Sequence, residues 1–289
     1  MSKRNIHLVP GLYFVATPIG SARDITLRAL DILAHVDILA AEDTRSLRKL
    51  MDIHGVAVNE RPILAYHDHN GARVRPKLIN VMKAGQQVAL ASDAGTPLIS
   101  DPGYKLVTAC LENDIPITAA PGPTAPIVAL TLSGLPSDRF SFQGFVPQKK
   151  KAARDALEES RLLTMTQIWF ETPKRLVATL KMMAGIYGNR YCVIGRELTK
   201  LHETLYRGML ADLAKQFEGA TILKGELVLV VDGADKHASQ VSIQKISELL
   251  RARMHKMSLR DAVEEVEDLS GLPRKQIYQL ALSISKSGA

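Results

Sequence analysis

Short uninterrupted apolar runs alternate along this chain with segments in which apolar residues return every three or four positions, the pattern of buried strands taking turns with amphipathic helices. Leu12 to Ala16 reads as a buried strand, Thr17 to Ser21 as the loop after it, and Thr26 to Val36 as a helix. Asp37 to Ala41 reads as a second strand that runs into Glu42-Asp43-Thr44-Arg45, where Thr44 is the expected N-cap of a helix ending at Gly55. Strands at 87–91 and 116–120 and a helix from Pro123 to Leu135 complete the first half. This rhythm predicts an α/β fold with a largely parallel sheet and helices on its faces. The second half repeats it more loosely, with strand candidates at Gln167–Phe170, Tyr191–Ile194 and Glu226–Val231, after an expected linker at 137–154.

The last fifty residues change character. A hydrophilic stretch to Gln240 leads into apolar periodicity at Ile243, Ile246, Leu249 and Leu250. Ser258 can cap a second helix through Asp268, Gly271-Leu272-Pro273 makes a turn, and Pro273 can open a third helix through Ser283. The spacing is that of a helix-turn-helix module. The expected divisions are an N-terminal α/β domain at 1–136, a second α/β domain at 137–235, and this module at 241–289.

With 289 residues, 46% hydrophobic and 23% charged, the chain can bury a full core. Ile115 to Ser137 is uncharged and long enough to span a bilayer, but Pro116, Pro121, Pro123 and Pro126 would break a spanning helix, so no membrane segment is expected. Met1 to His7 is basic without an apolar run behind it, which points to the cytoplasm. Cys110 and Cys192 sit in apolar surroundings without metal-ligand spacing, as buried thiols do. The balance of 37 Lys and Arg against 30 Asp and Glu, a net charge of +7, leans toward a polyanionic partner. Lys149-Lys150-Lys151-Ala152-Ala153-Arg154 reads either as a solvated linker or as a mobile basic arm over a binding cleft. In the C-terminal module Lys, Arg and the acids nearly balance, which argues against a strong non-specific clamp; such helical hairpins also serve packing or dimerisation.

Chemistry concentrates in two loops. The strand Val88 to Ala91 breaks into Ser92-Asp93-Ala94-Gly95-Thr96-Pro97-Leu98-Ile99-Ser100-Asp101-Pro102-Gly103, and Ile117 to Ala120 breaks into Pro121-Gly122-Pro123-Thr124-Ala125-Pro126. Such loops offer a ligand bare backbone and an apolar slot, although each alone could be an ordinary connection. No G-x-G-x-x-G follows a strand, and neither a P-loop nor a G-x-S-x-G elbow occurs, so nucleotide phosphates and acyl transfer find little support. His67-Asp68-His69 lacks the i,i+4 spacing of a helical zinc pair; solvated or substrate-facing histidines are expected, and no metal.

The ordered set Val15-Ala16-Thr17-Pro18-Ile19-Gly20, Ala41-Glu42-Asp43-Thr44-Arg45, Ser92 to Gly103, Pro121-Gly122-Pro123-Thr124-Ala125 and Phe170-Glu171-Thr172-Pro173-Lys174-Arg175 resembles the ribosomal RNA small subunit methyltransferase I family. The resemblance extends through Arg196-Glu197-Leu198-Thr199-Lys200 and the helical module, and so covers almost the whole chain. Ser21 departs from it, since the family usually carries Asn after Pro-Ile-Gly. The resemblance implies two α/β domains of tetrapyrrole methylase type with a cofactor cleft between them. It also implies transfer of a methyl group from S-adenosylmethionine to the ribose 2′-oxygen of a cytidine in the decoding region of 16S ribosomal RNA, within the 30S subunit, by a homodimer.

S-adenosylmethionine carries no phosphate, which agrees with the absence of a phosphate loop. The donor-site candidates are Asp93, Gly95, Thr96, Ile99, Ser100, Thr124, Phe170, Glu171 and Leu227, with Phe170 as a wall for adenine. Thr172 as N-cap and Pro173 at the first helical position would open a helix whose positive end favours an anion. Displacement at the sulfonium methyl needs the 2′-oxygen aligned with the breaking bond and its proton removed. Glu42, Asp43, Asp93, Glu197 and Lys200 are the candidates for that chemistry. Each has a structural alternative: Glu42 and Asp43 could cap or pair with Arg45, and Glu197 could pair with Lys200 as a helical i,i+3 neighbour. Arg23, Arg45, Lys149, Lys150, Lys151, Lys174, Arg175, Arg274 and Lys275 are candidates for RNA contact, the last two at the start of the third module helix. Two rivals remain: a small-molecule tetrapyrrole methylase, whose first loop would carry a Gly-rich G-x-G-x-G type of sequence, and a ribosome-assembly factor that binds no methyl donor.

Overall fold

The computed structural model describes residues 7–219, 223–270, 272 and 274–287. The basic start Met1 to Ile6 and, from the expected turn, Gly271 and Pro273 lie outside the described residues. The chain divides into two compact units, one of residues 1–129 and 196–204, the other of residues 130–195 and 205–289.

In the first unit, strands β1 (Gly11–Val15), β2 (Ile38–Ala41), β3 (Ile63–Ala65), β4 (Gln87–Ala91) and β5 (Ile117–Ala120) form one sheet in the order β3-β2-β4-β1-β5. All its pairs are parallel. Helices α1 (Leu27–His35), α2 (Thr44–Ile53), α3 (Gly71–Lys83) and α4 (Tyr104–Leu111) make the crossovers, and α5 (Ala125–Ser133) follows β5. Alternate strand residues serve opposite faces. Leu12, Phe14, Val88 and Leu90 pack with Leu78 and Met82 of α3 and Leu106 of α4, whereas Tyr13, Val15, Leu39 and Ala89 pack with Ile32 of α1 and Met51 of α2. Burial on both faces is why these strands read as continuous apolar runs rather than as an alternation.

Helix starts follow local chemistry. The Thr26 hydroxyl accepts a bond from the Ala29 N–H at 3.1 Å and fixes the start of α1. At α2 the expected cap is corrected by one residue: Asp43, not Thr44, accepts the Arg45 N–H, at 2.8 Å. A carboxylate is favoured there because it accepts the bond and also opposes the positive helix end.

The second unit holds β6 (Phe140–Phe145), β7 (Thr166–Glu171), β8 (Tyr191–Arg196), β9 (Thr204–Met209) and β10 (Leu227–Val231) in the order β6-β7-β10-β8-β9. This sheet is mixed: β6 runs parallel to β7, and β10 antiparallel to it. Helices α6 (Lys150–Ser160), α7 (Leu176–Tyr187) and α8 (Leu210–Phe217) bury Leu157, Leu180 and Leu213 against Trp169, Ile194 and Leu229. The stretch 137–154 is therefore not a linker. Phe140 and Phe142 pair along Thr166 and Ile168, and the Phe142 ring meets Phe170 at 5.0 Å, contacts that draw this segment into the sheet. The basic run at 149–151 is correspondingly no arm but the opening of α6.

Helices α9 (Lys236–Met254), α10 (Leu259–Ser270) and α11 (Arg274–Ser287) share a core of Ile246, Leu250, Val263, Val266, Leu272 and Ile277. The hydrophilic stretch before Ile243 is thus already helical from Lys236. Ser258 accepts the Asp261 N–H at 3.2 Å and caps α10 as expected. Leu162 packs against the module, and Gln276 donates to the Glu159 carbonyl at 3.0 Å. Among the described residues no helix is long and apolar enough to cross a membrane. Both cysteines are buried, and burial pushes the Cys110 thiol up to about 11.

Candidate functional site

In the first unit the loops that leave β1, β4 and β5, three neighbouring strands, meet at the carboxyl edge of the sheet. Thr17 and Gly95 exchange two main-chain bonds of 2.9 Å, and the Thr96 hydroxyl donates to the Pro123 carbonyl at 3.0 Å. The two loops singled out in the sequence are therefore joined to each other and to the first loop. Gly95 holds φ at +85°, and a Cβ there would stand 3.3 Å from Ile19, so its glycine is required by the loop itself. Leu98 and Ser100 also carry positive φ, +75° and +66°, a strained course that turns Leu98 and Ile99 outward as partly exposed apolar side chains. Thr124 stands directly before α5.

The carboxylates gather at the same edge. Glu42 directly follows β2, and the Asp93 carboxylate, past β4, accepts the Asp43 N–H at 2.9 Å. Asp43 is also gripped by the Arg45 guanidinium at 2.7 Å, and these bonds from Arg45 hold its carboxyl down at about 2. Glu42 is shifted the other way: partial burial raises it, followed by the charge of Asp93, while His67 draws it back. Glu42, Tyr66, Ser92, Pro97, Asp101 and Pro102 line a narrow crevice. Asp101 is the residue that reading the sequence missed as a titrating group. Its Oδ2 is buried and accepts no bond among the described residues, and burial, then the charges of Glu42 and Asp93, push it up to about 6. The signal was a second Asp in the same Gly- and Pro-rich loop, eight positions after Asp93.

Glu197 and Lys200 belong to the first unit as well. They pair at 2.9 Å, as in the structural alternative named for them but in a turn rather than a helix, with positive φ at Glu197 and Thr199. This turn packs on the loop after β1. A Cβ at Gly20 would lie 2.9 Å from the Leu198 carbonyl, and the Ser21 N–H donates to the Thr199 hydroxyl at 3.1 Å. The contact at position 21 uses main chain, which explains why Ser can stand there. All five sequence-derived catalytic candidates thus lie at the carboxyl edge of the first sheet, where open α/β sheets bind ligands.

The candidates in the second unit have other surroundings. Phe170 packs between Phe142 and Phe145, with ring centroids 5.0 and 5.1 Å away. Leu227 is 2% exposed in the core, which leaves a ligand only its main chain. Glu171 is equally buried, and its carboxylate takes the Thr172 N–H, the Thr179 hydroxyl and the Arg175 guanidinium, the last at 2.6 Å. The expected cap does not form: residues 172–175 make a turn closed by the Arg175 N–H on the Thr172 carbonyl, and α7 starts at Leu176. Arg175 is committed internally, since it also donates to the Val146 carbonyl at 2.9 Å. Arg274 faces Glu264 and Glu267 of α10 at 3.5 Å each. Arg23, Lys149, Lys150, Lys151, Lys174 and Lys275 are exposed, and so is Arg45 beyond its bond to Asp43.

Comparison with known proteins accords with this architecture. Residues 11–214 match the family model of Tetrapyrrole (Corrin/Porphyrin) Methylases, and residues 242–285 match the RsmI C-terminal HTH domain. The ribosomal RNA small subunit methyltransferase I of Mesorhizobium japonicum is 44% identical over 278 residues, 96% of this chain and 93% of that one. The chain belongs to the ribosomal RNA small subunit methyltransferase I family. Its relative of the same name from Escherichia coli O157:H7 is 41% identical over 94% of each chain. Among solved structures, a diphthine synthase covers 80% of this family member and 92% of its own length with a TM-score of 0.61 at 15% identity. A uroporphyrin-III-C-methyltransferase from Thermus thermophilus covers 77% and 92% with a TM-score of 0.51 at 18% identity, and these two likenesses concern the fold.

Proposed function

We propose that this chain transfers the methyl group of S-adenosylmethionine to the ribose 2′-oxygen of a cytidine in the decoding region of 16S ribosomal RNA, on the 30S particle. The observation that carries this reading furthest is one edge of one sheet, where strained, Gly- and Pro-rich loops gather with carboxylates of raised pKa. Relatives named for this activity along nearly the whole chain support it. The residues fit a phosphate-free donor: the Asp93 carboxylate offers an acceptor, and Leu98 and Ile99 an apolar wall. Asp93, Gly95, Thr96, Ile99, Ser100 and Thr124 would hold it. When bound, S-adenosylmethionine supplies an electrophilic sulfonium methyl.

The chain's own part is to orient the ribose and take its proton. Asp43 is the poorest acceptor, being held by Arg45, and Glu197 and Lys200 neutralise each other. Glu42 and Asp101 are the most basic carboxylates of the crevice, so they are the proton acceptors in this reading. Purified protein incubated with labelled methyl donor and either 30S particles or naked RNA tests the function. Glu42→Gln and Asp101→Asn should each lower kcat about 100-fold or more, with donor affinity retained. Transfer to a tetrapyrrole in place of RNA would establish the small-molecule rival, and a protein that binds no donor would be an assembly factor. The same reading includes a cytoplasmic homodimer, which sedimentation of the purified protein checks for assembly.

A further inference from the structure

The opening turns of α3 break a local electrostatic rule. Its first turn contains no acidic residue and carries Arg73 where the backbone dipole is already positive, and Arg75 and Lys77 follow in the next turn with no acid between them. Asp68 is the nearest acid in the preceding sequence, and among the described residues none of the three cations is in an ion pair. Arg73 and Lys77, four apart, lie on the exposed side of a helix whose other side buries Leu78, Ile79 and Met82 in the core. Local rules broken without an internal partner are characteristic of functional surfaces.

Position gives the segment its meaning. α3 leaves the carboxyl end of β3, next in the sheet to β2, which Glu42 directly follows. Tyr66 joins the two features: it lines the carboxylate crevice, its ring backs Gly71 at the start of α3, and Arg75 is close enough to act on its hydroxyl electrostatically. The basic segment is thus one side chain away from Glu42 and Asp101. A crevice of carboxylates repels phosphates, so an RNA strand that brings a ribose to it needs cations just outside. We infer that Arg73, Arg75 and Lys77 form a phosphate-contacting surface for the RNA strand flanking the target nucleotide.

This inference rests on the ribosomal RNA reading above. Its test compares full-length wild type with R73A/R75A/K77A, with the charge-preserving R73K/R75K, and with K83A at the far end of the same helix. Binding to 30S particles and to a naked 16S RNA fragment is measured from about 50 to 300 mM salt, alongside calorimetric donor binding and steady-state methylation. Three lost phosphate contacts should reduce the slope of log K against log salt by about 2 units. KM for the particle should rise about tenfold, while kcat and donor affinity stay at wild-type values. R73K/R75K and K83A should keep the full slope. A triple alanine variant with wild-type slope and KM overturns the surface. A change seen with 30S particles but absent with naked RNA overturns the RNA assignment in favour of a ribosomal protein. A wild-type protein that methylates no ribosomal RNA removes the underlying reading, a result distinct from either.

Discussion

Asp101 couples stability to chemistry through a single carboxylate. Its folded pKa of about 6 lies above the ordinary 3.8 of an Asp side chain, so the folded state binds more protons than the unfolded state between those values, and stability falls as pH rises through that window. Asp101→Asn keeps the shape and removes the penalty. It should leave stability unchanged near pH 3.5 and raise it at pH 7.5 by about 1–2 kcal/mol after solvent screening, read from denaturant melts at both pH values. Activity should move the opposite way: wild-type kcat should fall below about pH 6, and the variant should lose that limb together with most of its rate. At Thr124, replacement by Val removes a hydroxyl with little change in shape, and donor affinity should weaken about 5- to 10-fold by calorimetry. Gly95→Val is a poor probe of donor contact. Its added atoms would meet Ile19 on a backbone with positive φ, so lost affinity could not be separated from a distorted loop.

At the scale of elements, α6 opens with Lys149, Lys150 and Lys151 and no acid in its first turn, the same inverted pattern as α3. Because these lysines are part of a packed helix, replacing all three with Ala should not destabilise the protein. Relief at the positive helix end should leave the melting temperature equal or slightly higher, while the salt dependence of RNA binding flattens. A lowered melting temperature would show that the lysines serve packing instead. The start of α7 behaves differently. Arg175→Ala would leave the buried Glu171 carboxylate with only Thr172 and Thr179, at a cost of about 2–3 kcal/mol in urea unfolding once the partial exposure of Arg175 is allowed for.

For the whole molecule, the C-terminal module is not a detachable appendage. Ile246, Leu272 and Ile277 share a groove with Glu159, Leu162 and Leu163 from the end of α6, so deletion from Val241 would expose apolar side chains in the second unit. Lys275→Ala is the cleaner variant. It should raise KM for the particle a few-fold and leave donor binding unchanged if α11 docks on RNA. Arg274→Ala should cost no more than about 1 kcal/mol of stability, as solvent-exposed ion pairs do.

The sequence by itself determined the parallel β-α-β order of the first unit, most of its strand positions, the capped helices of the module and the family, because apolar runs, turn residues and contiguous motifs are local signals. β3, β6 and β9 escaped it. Ile63–Ala65 is too short to show a period, and Phe140–Phe145 and Thr204–Met209 carry polar or glycine residues that make sense only beside their sheet partners. The charged residues divide between local pairs and a group set by its surroundings in space. Asp43 and Arg45 bind each other, and Arg175 binds Glu171, whereas Asp101 is raised by burial, by Glu42 dozens of positions away in the chain and by Asp93 in its own loop. A titrating group takes its pKa from what surrounds it in three dimensions. Only the tertiary structure decided that Glu42 and Asp101 are the basic members of this cluster.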